Sequence, residues 1–268
     1  MSLHWNEIEK IAKAWTIEAG ENIKKALENP IEVKAKSNPD DLVTQVDKET
    51  EQFFYQKIKE TFPGHQFLGE EGVAEEGKLN SLDGTVWIID PIDGTMNFVH
   101  QRYNFAISVG VYHEGVGMIG IIYDVMSNEM FHARKGEGAF LNDDELLPVK
   151  ERPLHEAVIG VNGRWLVEER NVYQNPLRAL VRDVRSIRSY GSAAIEMAYV
   201  AADRLDSYIS VKLSPWDYAA ALVILNEVGC VASSFSGETL SLLESGTVVT
   251  AKPQLHKEVI SLYLGEEF

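Results

Sequence analysis

Thr85-Val86-Trp87-Ile88-Ile89-Asp90-Pro91-Ile92-Asp93-Gly94-Thr95-Met96-Asn97-Phe98 is the stretch from which the rest of the chain can be read. Val86 to Ile89 is an apolar run rich in β-branched and aromatic residues, the pattern of a buried strand. It ends abruptly at Asp90, and a carboxylate where a buried strand surfaces is costly unless something pairs with it. Pro91 stops the ladder and stiffens the backbone, so Asp93 is held in a fixed turn. Gly94 allows close approach of a ligand, and Thr95 is expected to cap a helix beginning near Met96. Two fixed carboxylates beside free N–H groups at a helix start can hold a cation and an anion together. Read alone, the same residues also describe an Asp-Pro turn after a strand.

Outward from that stretch, Gly69-Glu70-Glu71-Gly72 lies upstream and Ser214-Pro215-Trp216-Asp217 far downstream. Adjacent glutamates are commonly surface charge, and an acid at a helix start is often only a cap. Taken together, GEE, DPIDGTMNF and PWD resemble the inositol monophosphatase family of Mg-dependent, lithium-sensitive phosphatases. The resemblance runs from Asp41-Leu42-Val43-Thr44 to the last helix. It implies a layered αβαβα sandwich of the inositol monophosphatase and fructose-1,6-bisphosphatase type.

Composition sets bounds on function. The chain has 268 residues, 45% hydrophobic and 25% charged, enough for a large core in one domain or two joined halves. With 25 Lys and Arg against 41 Asp and Glu, the formal charge of −16 disfavours nucleic acid and anionic membranes as partners. The same charge repels phosphate esters, so a phosphatase built on it needs cations in its site. A single cysteine, Cys230, cannot form an intramolecular disulfide and suits a reducing cytoplasm. No apolar run approaches the ~20 residues of a membrane span. The N-terminus shows no secretion signal.

Along the chain, residues 3–29 have helical apolar spacing ended by Pro30, and 31–36 alternate like a half-exposed strand. A turn over 37–41 follows, with Lys36 at its edge. Asp47 is expected to open a second helix with Phe53, Phe54, Ile58 and Phe62 inward, stopped by Pro63-Gly64. Residues 72–84 read as a polar acidic loop, and strands over 105–111, 118–123 and 129–133 predict an antiparallel meander. From Arg152-Pro153 onward strands and helices alternate, so the chain is expected to divide into halves at 1–151 and 152–268. The second half reads as strand 157–161, helix 168–180, strand 184–189, strand 206–211, a helix begun by Asp217, strand 246–252 and helix 253–264. Gly191-Ser192-Ala193 lies between a strand and a helix, where small residues serve either a ligand or a neighbouring helix.

The donors at the centre are all oxygen, which favours Mg²⁺ over Zn²⁺. The seven histidines are scattered with no metal-binding spacing. The resemblance implies two or three Mg²⁺ ions, held by Glu70, Asp90, the Ile92 carbonyl, Asp93 and Asp217. It implies that Glu70 and Thr95 take the proton of an attacking water, with Asp47 orienting Thr95. Lys36 would be a loop residue folding towards the metals. Substrate would meet Asp93, Gly94, Thr95, Gly191, Ser192, Ala193 and Asp217, and the protein would be a homodimer.

One residue departs from the family. Many members carry a glutamate seven residues before the PWD aspartate, accepting hydrogen bonds from inositol hydroxyls; here that position is Ser210. The expected activity is therefore hydrolysis of inositol monophosphate and related small phosphate esters with broad specificity. NADP 2′-phosphatase or fructose-1,6-bisphosphatase activity is the alternative, and a non-enzymatic cation-binding interaction protein is disfavoured.

Overall fold

The computed structural model describes residues 5–35, 42–74, 79–168 and 172–265. Lys36, the turn at 37–41, residues 75–78 of the acidic loop and 169–171 of the expected helix lie outside them. The first part of the chain forms α1 (Trp5–Ala26), β1 (Val33–Ala35), β2 (Leu42–Thr44), α2 (Gln45–Thr61), β3 (Gln66–Gly69), β4 (Thr85–Asp93) and α3 (Thr95–His100). Then come β5 (Ala106–His113), β6 (Val116–Asp124), β7 (Glu129–Arg134), β8 (Ala139–Leu141) and β9 (Asp144–Glu145). The remainder forms β10 (Val158–Val161), α4 (Gln174–Asp183), β11 (Ser186–Arg188), α5 (Ala193–Ala201) and β12 (Ser207–Leu213). It closes with α6 (Pro215–Glu227), β13 (Val231–Ser233), β14 (Gly246–Ala251) and α7 (Pro253–Val259), which runs into a π-helical turn at Ile260–Leu264.

Every residue of β4 is buried, because its sheet is covered on both faces. Alternate residues point to opposite sides of a strand. Trp87 and Ile89 join α1 and α2 residues such as Trp15, Ile23 and Phe54, while Val86 and Ile88 join α5 and α6. The sheet order is β3-β4-β5-β6-β7-β8-β9. β3 is parallel to β4, and the remainder is the expected antiparallel meander. A second sheet has the order β11-β10-β12-β14-β13, with β10 parallel to both its neighbours. Its outer face packs Ile159, Ile209 and Val249 on Leu177, Leu180, Leu255 and Val259 of α4 and α7. The layers are therefore helices, sheet, helices, sheet, helices, the αβαβα sandwich expected.

The middle layer is tight. A Cβ on Gly120 of β6 would lie 2.2 Å from the Ala220 carbonyl oxygen, and one on Gly110 of β5 3.0 Å from Ala219 Cβ. Helix α6 thus rests directly on the first sheet, and its N-terminus is carried to the end of β4. Far from there, Lys252 is fully buried with its ammonium bonded to Asp203 and, at 2.6 Å, to Asp206. Arg152 also reaches Asp206, at 2.7 Å. Burial alone would push the Asp206 carboxyl up, but bonds from Lys252, the Val158 N–H and Arg152 outweigh it and hold it below its ordinary value.

Three expectations are corrected. Helix α2 begins at Gln45, with Thr44 as its N-cap and Asp47 at the third position of a capping box, not as the cap. Helix α6 repeats this with Ser214 and Asp217. Helix α4 starts at Gln174 rather than 168, so that Pro176 falls in its first turn, where no intrahelical bond is lost. Among the described residues no helix is long and apolar enough to cross a membrane.

Candidate active site

Asp90 sits where β4 leaves regular pairing. The register with β5 shifts between Asp90 and Asp93, and Pro91 and Ile92 form the bulge. The Ile92 N–H donates to Asp90 Oδ1 at 3.0 Å, fixing the carboxylate over the bulge. Asp93 points across to the second half of the chain, where its Oδ2 accepts from Ser192 Oγ and, at 2.8 Å, from the Ala194 N–H. Asp217 is steadied by the Ser214 N–H at 2.8 Å. One carboxylate oxygen from each of Asp90, Asp93 and Asp217 lies within 4.8 Å of the others.

Glu70 follows the end of β3, parallel to β4, and comes close enough to share a hydrogen bond with Asp90. Burial, followed by the charges of Glu70, Asp93 and Asp217, pushes the Asp90 carboxyl well above its ordinary range. Burial and the charge of Asp93 do the same to Asp217. Burial lifts Asp93 to about 6, partly offset by the bonds from Ser192 and Ala194. Such a group cannot be fully ionised without a compensating charge. The donors are hard oxygens brought together from β4, the first turn of α6 and the residue after β3, a set that fits a divalent cation of the Mg²⁺ type.

Thr95 does not cap α3, as its sequence position suggests. The cap is Gly94, in the left-handed region at φ 94°, and α3 begins at Thr95 itself. The Thr95 hydroxyl lies instead 3.2 Å from Asp47 Oδ1 and 3.1 Å from the Ile92 carbonyl oxygen. Asp47 Oδ2 accepts from the Thr44 N–H at 2.9 Å and from the Thr44 hydroxyl. Burial raises the Asp47 carboxyl despite those bonds. Asp47 therefore serves its helix and Thr95 at once.

The glycine turn meets the same place. A Cβ on Gly94 would stand 3.1 Å from the Gly191 carbonyl and 3.2 Å from that of Asn104, so two backbones touch where a side chain would separate them. Ser192 caps α5 through the Ile195 N–H, and Ala193 begins that helix. Ser210 is buried on the face of β12 that also carries Tyr208, turned towards the first sheet. Its hydroxyl donates to the Lys212 carbonyl at 3.2 Å, beside a register shift between Ser210 and Leu213.

Residues 4–264 match the model of the inositol monophosphatase family. The chain belongs to that family. Inositol-1-monophosphatase of Bacillus subtilis (strain 168) is 51% identical over 97% of this chain and 98% of that protein. A solved staphylococcal inositol monophosphatase II with inositol monophosphate bound is 40% identical, with a TM-score of 0.86 over 96% of this chain and 93% of that one. An IMPase/NADP phosphatase complexed with Mg²⁺ and phosphate is 26% identical, with a TM-score of 0.88 over 97% and 95%.

Two supporting residues are not apparent from the sequence. Asn97 Nδ2 donates to the carbonyls of Asn104 at 2.8 Å and Tyr190 at 2.6 Å, binding the DPIDG turn to the glycine turn. Glu196 Oε1 accepts from the N–H groups of Tyr190 at 2.9 Å and Gly191 at 3.2 Å, while Oε2 is buried without a hydrogen bond. Asn97 lies inside the quoted motif, where it reads as one more residue of a short helix. Glu196 carries a weaker signal, an acid in an otherwise apolar helix.

Proposed function

We propose that this protein is a Mg²⁺-dependent phosphomonoesterase that hydrolyses inositol monophosphate and related small phosphate esters. The observation that carries the reading is the convergence of Asp90, Asp93 and Asp217 beside Glu70, with the Thr95–Asp47 pair at their edge. Two or three Mg²⁺ ions are proposed, with Glu70, Asp90 and the Ile92 carbonyl at the first and Asp90, Asp93 and Asp217 at the second. When bound, Mg²⁺ supplies Lewis acidity for a water and for the leaving oxygen and neutralises the charge on phosphate.

The chain's own residues do the rest. Thr95 Oγ1 accepts a proton from the attacking water as its own proton passes to Asp47 Oδ1; Glu70 is the alternative acceptor. The water oxygen forms a bond to phosphorus in line with the breaking ester bond, and the departing alkoxide takes a proton from solvent. Phosphate oxygens rest on the N–H groups of Gly94 and Thr95. Asp93 and the turn Gly191-Ser192-Ala193 align the alcohol portion, and Asp217 lies beside the leaving oxygen.

A second reading, hydrolysis of the 2′-phosphate of NADP or of a sugar bisphosphate, is favoured by Ser210. Serine is shorter than glutamate and neutral, so it offers a weaker acceptor to inositol hydroxyls and no charge against a second phosphate. Broad specificity follows. The resemblance supports a homodimer and sensitivity to lithium, and the single buried cysteine supports a cytoplasmic setting. Division of the chain at about residue 151 is proposed from the change of sheet after β9.

The deciding experiment measures phosphate release from inositol 1-phosphate, fructose 1,6-bisphosphate and NADP, with and without Mg²⁺, in wild type and Ser210→Glu. Mg²⁺-dependent release from several esters, narrowed towards inositol phosphate by Ser210→Glu, is expected. Release that ignores Mg²⁺ overturns the metal assignment. A wild type already selective for inositol phosphate by orders of magnitude overturns the breadth.

A further inference from the structure

Glu70 belongs to the connection between β3 and the start of β4, whose described residues form neither helix nor strand. Something must hold its carboxylate against Asp90. Helix α2 passes beneath, and its inward stripe is not purely apolar: Val46, Asp47, Thr50, Glu51, Phe54 and Ile58 are all buried. Glu51 is 0% exposed, which for a carboxylate requires bonded partners of some strength. Two of its partners are loop backbone. Glu51 Oε2 accepts from the Glu71 N–H at 2.6 Å, and Oε1 accepts from the Val73 N–H at 2.8 Å. These two N–H groups flank Gly72, which sits in the left-handed region at φ 68°. A single carboxylate thereby grips a backbone turn by both oxygens, immediately after Glu70.

Residue 69 makes that grip possible. A Cβ on Gly69 would lie 2.4 Å from Glu51 Cδ and 2.5 Å from Oε2. Any side chain there would push the carboxylate out of reach of the two N–H groups. Glu51 also lies one helical turn beyond Asp47, on the same buried stripe. Asp47 meets Thr95, and Glu51 meets the turn after Glu70.

We propose that Glu51 is a positioning residue that sets the place of Glu70 in the metal site through the Glu71 and Val73 amides. This rests on the phosphatase reading above. Helix α2 then acts as a common rail, with Asp47 and Glu51 locating two parts of the site from consecutive turns. Removing the bond pattern without removing bulk should leave substrate contacts untouched and loosen Glu70 alone. Hydrogen-bond partners that orient metal ligands are typically worth about 10–100-fold in metal affinity or activity.

The test uses Glu51→Gln in the full-length protein, with Mg²⁺ binding followed by calorimetry and amide exchange followed at Glu71 and Val73. An amide side chain keeps one acceptor oxygen and turns an NH₂ towards the other N–H. The expected result is faster exchange at these two amides in the metal-free protein and Mg²⁺ binding weakened about 10–100-fold. KM at saturating Mg²⁺ should be unchanged, and excess Mg²⁺ should recover most of the lost rate. Mg²⁺ affinity equal to wild type, with only a lower melting temperature, would overturn the proposal. So would wild-type Glu71 and Val73 amides that exchange as fast as exposed loop amides, a result that stands even if the variant folds poorly. The phosphatase reading fails separately, through a wild type that neither binds Mg²⁺ nor releases phosphate.

Discussion

Thr95 Oγ1 lies 3.2 Å from Asp47 Oδ1 although 48 residues separate them in sequence. The hydroxyl is thus held between a buried carboxylate and the Ile92 carbonyl. Thr95→Ala is expected to reduce kcat by about 10²–10⁴-fold, the usual worth of a proton-transfer group, with little change in KM. Thr95→Ser should retain most of the rate. Steady-state kinetics at saturating Mg²⁺ reads the difference.

Asp217→Asn separates two consequences of the acidic cluster. In the metal-free protein it removes one of several mutually repelling charges, while its side-chain oxygen can still accept from the Ser214 N–H. The variant should therefore melt higher than wild type in chelator. Wild type should gain from Mg²⁺ by linkage, about 2.7 kcal/mol at a hundred times Kd, and the variant should lose most of that gain along with turnover. Thermal denaturation with and without Mg²⁺ decides it. A variant that melts lower than wild type in chelator contradicts the repulsion argument.

Glu196 gives a pH dependence. Burial raises its carboxyl to about 7, against bonds from the Tyr190 and Gly191 amides that lower it. Between the ordinary carboxylate range and about 7 the folded protein holds a proton that the unfolded chain has released. Stability must therefore fall as pH rises through that window, by about 3 kcal/mol once the group is fully ionised. Glu196→Gln mimics the protonated acid and should lack this fall. Denaturant melts at pH 5 and pH 8 in saturating Mg²⁺ should show the variant gaining on wild type at the higher pH.

Lys252 should matter for stability and not for chemistry. Its ammonium is buried with Asp203 and Asp206, remote in sequence from the site carboxylates. Lys252→Met leaves Asp206 buried with only Arg152 and the Val158 amide, and loss of one partner from a buried ion pair typically costs ~3–5 kcal/mol. The expected result is a marked drop in denaturation midpoint at an unchanged Mg²⁺ requirement.

The parts of this molecule that are legible in sequence are those whose physics is local. The run before Asp90 announces β4, since a strand covered on both faces shows as uninterrupted apolar residues. The meander is legible from its turns. Capping is harder, because the boundary between Thr44 and Gln45 cannot be read from periodicity. The real signal is the pattern Thr44 to Asp47 and Ser214 to Asp217, in which the acid reads as a cap when it is the third residue of a box. Pro176 could have fixed the start of α4, since proline is tolerated in a first turn and not further in. Glu51 and Glu196 are hidden for a different reason. A charged residue on a helix reads as solvent-facing, and the loop amides that help make its burial tolerable are brought by tertiary contact.

The cover that α5 and α6 give to the first sheet has a consequence during synthesis. Val86, Ile88, Ala106, Ile122 and Phe131 lie on the face that these two helices bury. A growing chain that has completed the first sheet shows this face bare until residues 193–227 have emerged. For that interval it is an open apolar surface of the kind that aggregates or recruits chaperones. Slow elongation or truncation between β9 and α6 should therefore do more harm to yield than the same interruption after α7.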